Sequence, residues 1–188
     1  MSAEMAIEAI AAEYAKLLGY FTEIRVPYKV KRGNSDIDVL GYNPKTKKIL
    51  MIECKAGGGP NDYPSDDYRC KKWYREEFKI MMKKWEAFKK SPTNKWGIKK
   101  LDEMWFVISA SCDDNKKIEK ELYKVIHIKI KIIPIHELLL DIINEVKKDK
   151  DIRRTRYSNP ALEFCRWFIR GHNAGKIDLI DLDKRLKK

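Results

Sequence analysis

Two short apolar runs, Ile37 to Tyr42 and Ile49 to Cys54, flank the segment "NPKTKK", and they constrain the fold more than any other feature of the chain. Both have strand length and the segment between them has turn chemistry, so the pair reads as a hairpin. Side chains alternate along a strand, which groups Asp36, Asp38, Leu40 and Tyr42 on one face and Ile49, Met51, Glu53 and Lys55 on one face of the partner. Val39, Ile52 and Cys54 occupy the other face, so the hairpin is expected in the middle of a sheet rather than at its margin. A turn centred between Lys45 and Thr46 sets Tyr42 opposite Ile49, Leu40 opposite Met51, Asp38 opposite Glu53 and Asp36 opposite Lys55.

That register brings two carboxylates together. Directly opposed on an antiparallel pair, their Cβ atoms are about 5 Å apart, a destabilising arrangement unless a cation lies between them. All-oxygen donors select a hard ion, and Mg2+ held by one or two carboxylates and completed by water and phosphate suits them better than a closed Ca2+ cage. Lys55 would then orient or help deprotonate a water, or steady charge developing on a phosphate. An exposed Asp36 and Lys55 ion pair beside solvated Asp38 and Glu53 is the competing explanation; the apolar character of both strands speaks against it.

The remaining elements extend the hairpin into an α/β chain. Ile7, Ile10, Tyr14, Leu17 and Leu18 recur at helical spacing and Gly19 closes that helix. A strand from about Tyr20 to Tyr28 and a basic loop with Lys29, Lys31 and Arg32 lead into the hairpin. "AGGGPNDYPSDD" is a loop placed to close on a substrate, followed by a long helix with Tyr74, Phe78, Met81, Trp85 and Phe88 on one face. Met104 to Ser109 reads as a central strand, Asp113 to Tyr123 as a helix, Val125 to Ile133 as a lysine-bearing edge strand, and Ile135 to Val146 as a helix. A cap signal at Ser158 or Asn159 opens a C-terminal helical extension. The expected organisation is a core over residues 1–150 and a basic helical extension over 151–188: a mixed sheet flanked by helices in the order αβββαβ.

Composition points to a polyanionic partner. The chain of 188 residues holds 40 Lys and Arg against 28 Asp and Glu, a formal charge of +12, and much of the excess falls on the long helix and its flank. Lys71, Lys72, Arg75, Lys79, Lys83 and Lys84 should project outward from the apolar stripe as a phosphate-tracking face, with Arg153 and Arg154 in a second patch. Trp73 and Trp96 lie off the stripe; an aromatic there either packs near a helix end or stacks on a base. Glutamine is absent, a composition leaning towards a heat-adapted source. The four cysteines form no C-x-x-C pair, so zinc or dithiol chemistry has no support. The N-terminus lacks the pattern of a signal peptide and no stretch is suited to a bilayer, from which a soluble, cytoplasmic protein is expected.

Asp38 on one strand and "ECK", Glu53 to Lys55, on the next resemble the signature of the PD-(D/E)XK nuclease superfamily. "DIDVLGY" and "ILMIECKA" are similar to the corresponding strands of Mrr-type restriction enzymes and archaeal Holliday-junction resolvases. The resemblance implies a restriction-endonuclease-like core and a metal-dependent endonuclease acting on double-stranded or branched DNA. It implies Mg2+, with Mn2+ as a substitute, held by Asp38, Glu53 and Glu8, with Lys55 completing the catalytic set, and a homodimer. Asp36 is a rival to Asp38, because the proline that precedes the aspartate in the superfamily is replaced by Ser35 or Ile37. The alternative is a non-catalytic DNA-binding module or subunit retaining the same fold.

Overall fold

Residues Ala3–Leu17 form α1, and its end follows from Gly19. At φ +89 Gly19 takes a conformation other residues resist. Its N–H then donates to Lys16 O at 2.9 Å while Tyr20 N–H donates to Ala15 O at 3.0 Å, satisfying carbonyls that the helix would leave open. Ala11, Ala12 and Ala15 are fully buried on this helix, where small side chains permit close approach, and the Tyr14 ring lies 5.7 Å from that of Trp105.

The computed structural model describes residues 3–31, 33–56, 67–95, 97–109, 115–148, 163, 166, 167, 169 and 170. After α1 come β1 (Phe21–Val30), β2 (Gly33–Asn43), β3 (Lys48–Lys55), α2 (Asp67–Lys89), β4 (Glu103–Ile108), α3 (Asn115–Ile126), β5 (Lys129–Pro134) and α4 (Ile135–Lys147). The strands form one five-stranded sheet in the order β1-β2-β3-β4-β5. The first three are antiparallel neighbours, and β3, β4 and β5 are parallel. This is an α/β protein with a mixed sheet flanked by helices.

Burial follows position in the sheet. β3 is buried from Ile49 to Cys54 and β4 throughout, because both are covered on two faces. Beneath α2, Tyr74, Phe78, Met81, Trp85 and Phe88 pack with Leu40, Met51, Met104 and Phe106, and Ile118 and Leu122 of α3 join the same core. Phe106 is its centre, with the rings of Trp73, Tyr74 and Phe78 at 5.6, 6.1 and 5.7 Å. On the opposite face α1 covers Trp105. Connections of β3 to β4 through α2 and of β4 to β5 through α3 place both helices on one side, as parallel crossovers of one hand require.

Two expectations change. β1 continues to Val30, which pairs with Gly33, so Lys29 belongs to the strand and not to a loop. The edge strand starts at Lys129 rather than Val125: Val125 and Ile126 complete α3, anchored by buried Ile118 and Leu122. His127 at φ +57 ends that helix, donating its N–H to Tyr123 O at 2.8 Å. The chain separates into compact units of Met1–Ile135 and His136–Lys188.

Within that second unit Leu138, Ile142 and Val146 are the buried stripe of α4. Glu163, Arg166, Trp167, Ile169 and Arg170 are helical, with Arg166 paired to Glu163 and both Arg166 and Arg170 over the Trp167 ring. The Ser158 or Asn159 cap, Arg153, Arg154, Trp96 and the Gly57 to Asp66 stretch lie outside the described residues. No helix among the described residues is long and apolar enough to cross a membrane.

Candidate functional site

The β2–β3 ladder keeps the expected register at Tyr42↔Ile49 and Leu40↔Met51 and ends at Val39↔Ile52. The expected pairs of Asp38 with Glu53 and Asp36 with Lys55 are absent from it; Asp36 is opposite Pro27 of β1 instead. Where the ladder stops, Asp38 Oδ2 accepts the Cys54 N–H at 2.7 Å, so a carboxylate replaces the main-chain acceptor that continued pairing would supply. Ile37 and Leu40 enter one core cluster, which strict alternation forbids, so the twist of β2 changes between them. Across from Asp38, Arg25 of β1 sits at φ +55, a costly conformation for a residue with a Cβ.

This break lies at the carboxyl ends of the parallel strands β3 and β4, where open α/β sheets place their ligands, and where β3 changes from antiparallel to parallel neighbours. Glu53 is 3 % exposed. Its Oε1 accepts Lys84 Nζ at 2.5 Å, while Oε2 is buried and accepts no hydrogen bond from the protein. Burial first, and the charge of Asp38 second, push the Glu53 carboxyl up to about 7 despite Lys84 and Lys55. Burial raises Asp38 as well, against the Cys54 N–H and Lys84. Burial alone would lower Lys84, but the Glu53 charge and hydrogen bond outweigh it and the ammonium is held above its ordinary range.

Lys55, expected beside Glu53, has its Nζ 3.8 Å from Glu77 of α2 and is about one-third exposed. Glu8 is buried on α1 as expected of a residue facing the sheet, yet it is committed to Arg25: Nε donates to Oε2 at 2.9 Å and Nη2 to Oε1 at 3.2 Å. The Arg25 guanidinium is held above its ordinary range by the Glu8 hydrogen bond and charge, with smaller contributions from Asp36 and Asp38. Among the described residues no three His, Cys, Asp or Glu side chains gather into a group that could hold a metal ion. The oxygen pair of Asp38 and Glu53 remains. Its chemistry fits a hard cation: two carboxylates raised by burial, one of them with an oxygen unsatisfied in the interior.

The basic face of α2 is partly as expected. Lys72, Lys79 and Lys83 are exposed along one outer stripe. Lys71 and Arg75 both reach Glu121 of α3, at 4.0 and 3.3 Å. Lys84 does not project outward; its side chain is 19 % exposed and turned to Glu53, which corrects its assignment to the surface. The physical reason is position: Lys84 adjoins the buried Met81, Trp85 and Phe88, and the carboxylates of Glu53 on β3 and Asp38 on β2 lie on that side of the helix to match its charge. Trp73 packs on Tyr74 and Phe106, partly buried against the core. Arg25 and the inward role of Lys84 escaped the sequence reading; β1 carries Thr22, Glu23 and Lys29 besides Arg25, so no local pattern singled that arginine out.

No family model matches the chain, and no curated protein was found to be similar to it. Among solved structures it is similar to a crystal structure of a protein of unknown function, AF1548, with 16% identity over 79% of this chain and 74% of that one, at a TM-score of 0.43.

Proposed function

We propose that the protein is a Mg2+-dependent deoxyribonuclease with the restriction-endonuclease-like core of the PD-(D/E)XK superfamily. The buried, unpartnered Oε2 of Glu53 beside Asp38 carries this reading. A carboxylate oxygen without a donor in the interior is costly, and a divalent cation shared with Asp38 removes both that cost and the mutual repulsion. Mg2+ bound by Asp38 and Glu53 supplies an activated water and charge neutralisation at a phosphodiester. Lys55, at the carboxyl end of β3 and accessible, serves the water or the phosphate. Glu8 contributes through Arg25, as the anion that holds the guanidinium next to Asp38. Exposed Lys72, Lys79 and Lys83 give DNA backbone a cationic track. A homodimer would bring two such sites to two strands of double-stranded or branched DNA.

The test is cleavage of linear duplex, single-stranded and four-way-junction DNA with Mg2+ or EDTA, for wild type, Asp38→Ala and Lys55→Ala. Cutting that requires Mg2+ and is lost in both variants is expected. Metal-dependent cutting that persists in both refutes the site, and binding without cutting by the wild type identifies a DNA-binding module.

A further inference from the structure

The lysine nearest to the carboxylates does not come from the strand motif. Glu77 and Lys84 stand about two turns apart on α2 and meet β3 in crossed fashion, Glu77 with Lys55 at 3.8 Å and Lys84 with Glu53 at 2.5 Å. The ammonium of Lys55 is thereby drawn towards the helix, and that of Lys84 is brought in to the acid. Burying an ammonium is expensive unless a partner compensates. Lys84 nevertheless sits 19 % exposed among Met81, Trp85 and Phe88, while Lys72, Lys79 and Lys83 of the same helix remain in solvent.

The charge balance around it is incomplete. Buried Glu53 and half-buried Asp38 share this one inward-turned ammonium, Lys55 being drawn off to Glu77 and Arg25 to Glu8, and one Glu53 oxygen has no partner. Lys84 therefore does part of what a cation would do, at one oxygen of one acid. A lysine is suited to a temporary role, because its ammonium is a point charge on a four-carbon stem that can swing aside without losing a fixed two-pronged geometry. Arg25 on Glu8 is the contrasting case, held by two hydrogen bonds.

We infer that Lys84 is a built-in counter-ion of the site: it holds Glu53 while no metal is present, yields that carboxylate to an incoming divalent cation, and is left beside the place a phosphate would take. The inference rests on the assignment of Asp38 and Glu53 as metal ligands. It makes a prediction of sign. Ammonium and divalent cation repel one another across a few ångströms of low-dielectric interior, so removing the ammonium tightens cation binding even as it weakens the metal-free protein.

The experiment is calorimetric titration with Mn2+ and Mg2+, together with thermal unfolding in EDTA and in excess Mg2+, on wild type, Lys84→Met, Lys84→Gln and Lys84→Arg. Lys84→Met and Lys84→Gln are expected to bind Mn2+ about tenfold more tightly or better. Both should melt below wild type in EDTA and recover in Mg2+, and a variant that folds only with Mg2+ gives the same answer. Lys84→Arg, which keeps the charge, should stay near wild type. Weaker or unchanged Mn2+ binding in both neutral variants, with wild type binding normally, overturns the counter-ion role and leaves the nuclease reading intact. Absence of cation binding in every protein overturns the metal site itself and this inference with it.

Discussion

Glu53 should make the metal-free protein less stable as the solution becomes more alkaline. Its carboxyl is raised from an ordinary value of 4.5 to about 7, chiefly by burial and then by Asp38, with Lys84 and Lys55 opposing. The folded protein thus holds this proton more tightly than the unfolded chain does. The associated stability is fully present below about 4.5 and is lost as the pH rises through about 7. At about 1.4 kcal/mol per pH unit the loss amounts to about 3 kcal/mol, a large part of a typical domain's stability. Glu53 is almost wholly buried, so solvent screening reduces it little. The raised carboxyl of Asp38 adds in the same direction, whereas Asp102 and Glu103 do not contribute here: burial pushes both up, but Lys100 and Lys48 with their other partners hold them below the ordinary range. The perturbation is Glu53→Gln, which removes the titration and keeps an acceptor for Lys84. Urea unfolding followed by tryptophan fluorescence, in EDTA between pH 5 and pH 8, should show wild type losing about 2–3 kcal/mol more than the variant, part of the loss having already occurred below pH 5. Mg2+ should restore most of that difference at pH 8. Parallel pH profiles for the two proteins in EDTA would show that Glu53 behaves as an ordinary carboxylate and would refute the reasoning.

Phe106→Ala removes the ring on which Trp73, Tyr74 and Phe78 converge and should destabilise by about 3–5 kcal/mol in equilibrium unfolding. Asn43→Ala should cost about 1–3 kcal/mol in the same assay, because Asn43 accepts the Lys45 and Thr46 N–H groups in the β2–β3 turn and donates to Leu18 O. His127→Gly relieves the φ +57 conformation at the end of α3 and should raise stability by up to about 1 kcal/mol, read as a higher midpoint at unchanged slope.

The hairpin was legible because its loop length and its apolar pairs agree: Leu40 and Met51, and Tyr42 and Ile49, are matched as alternation requires. Alternation also carried the argument too far. Nothing in the letters of "SDIDV" says that Asp38 will use its side chain to end the ladder at Cys54. β-branched Val125, Ile126 and Ile128 read as strand, whereas packing of Ile118 and Leu122 extended the helix to Ile126. Lys84 was indistinguishable from its surface neighbours, because an inward ion pair depends on which strand residue lies beneath the helix. The Glu8 and Arg25 pair joins α1 to β1 across 17 positions, and no local period reports such a contact. Fold class thus rests on short-range patterns, while the site is made by contacts between elements.

The bond from Asp38 to the Cys54 amide has one more implication. It wires a peptide proton of the central strand directly to a carboxylate at the heart of the proposed chemistry. Whatever draws electron density from that carboxylate must loosen its hold on the proton, so the nitrogen-15 resonance and deuterium uptake of a single backbone position become a gauge of occupancy. The protein carries its own spectroscopic label, readable without a substrate and without altering a residue.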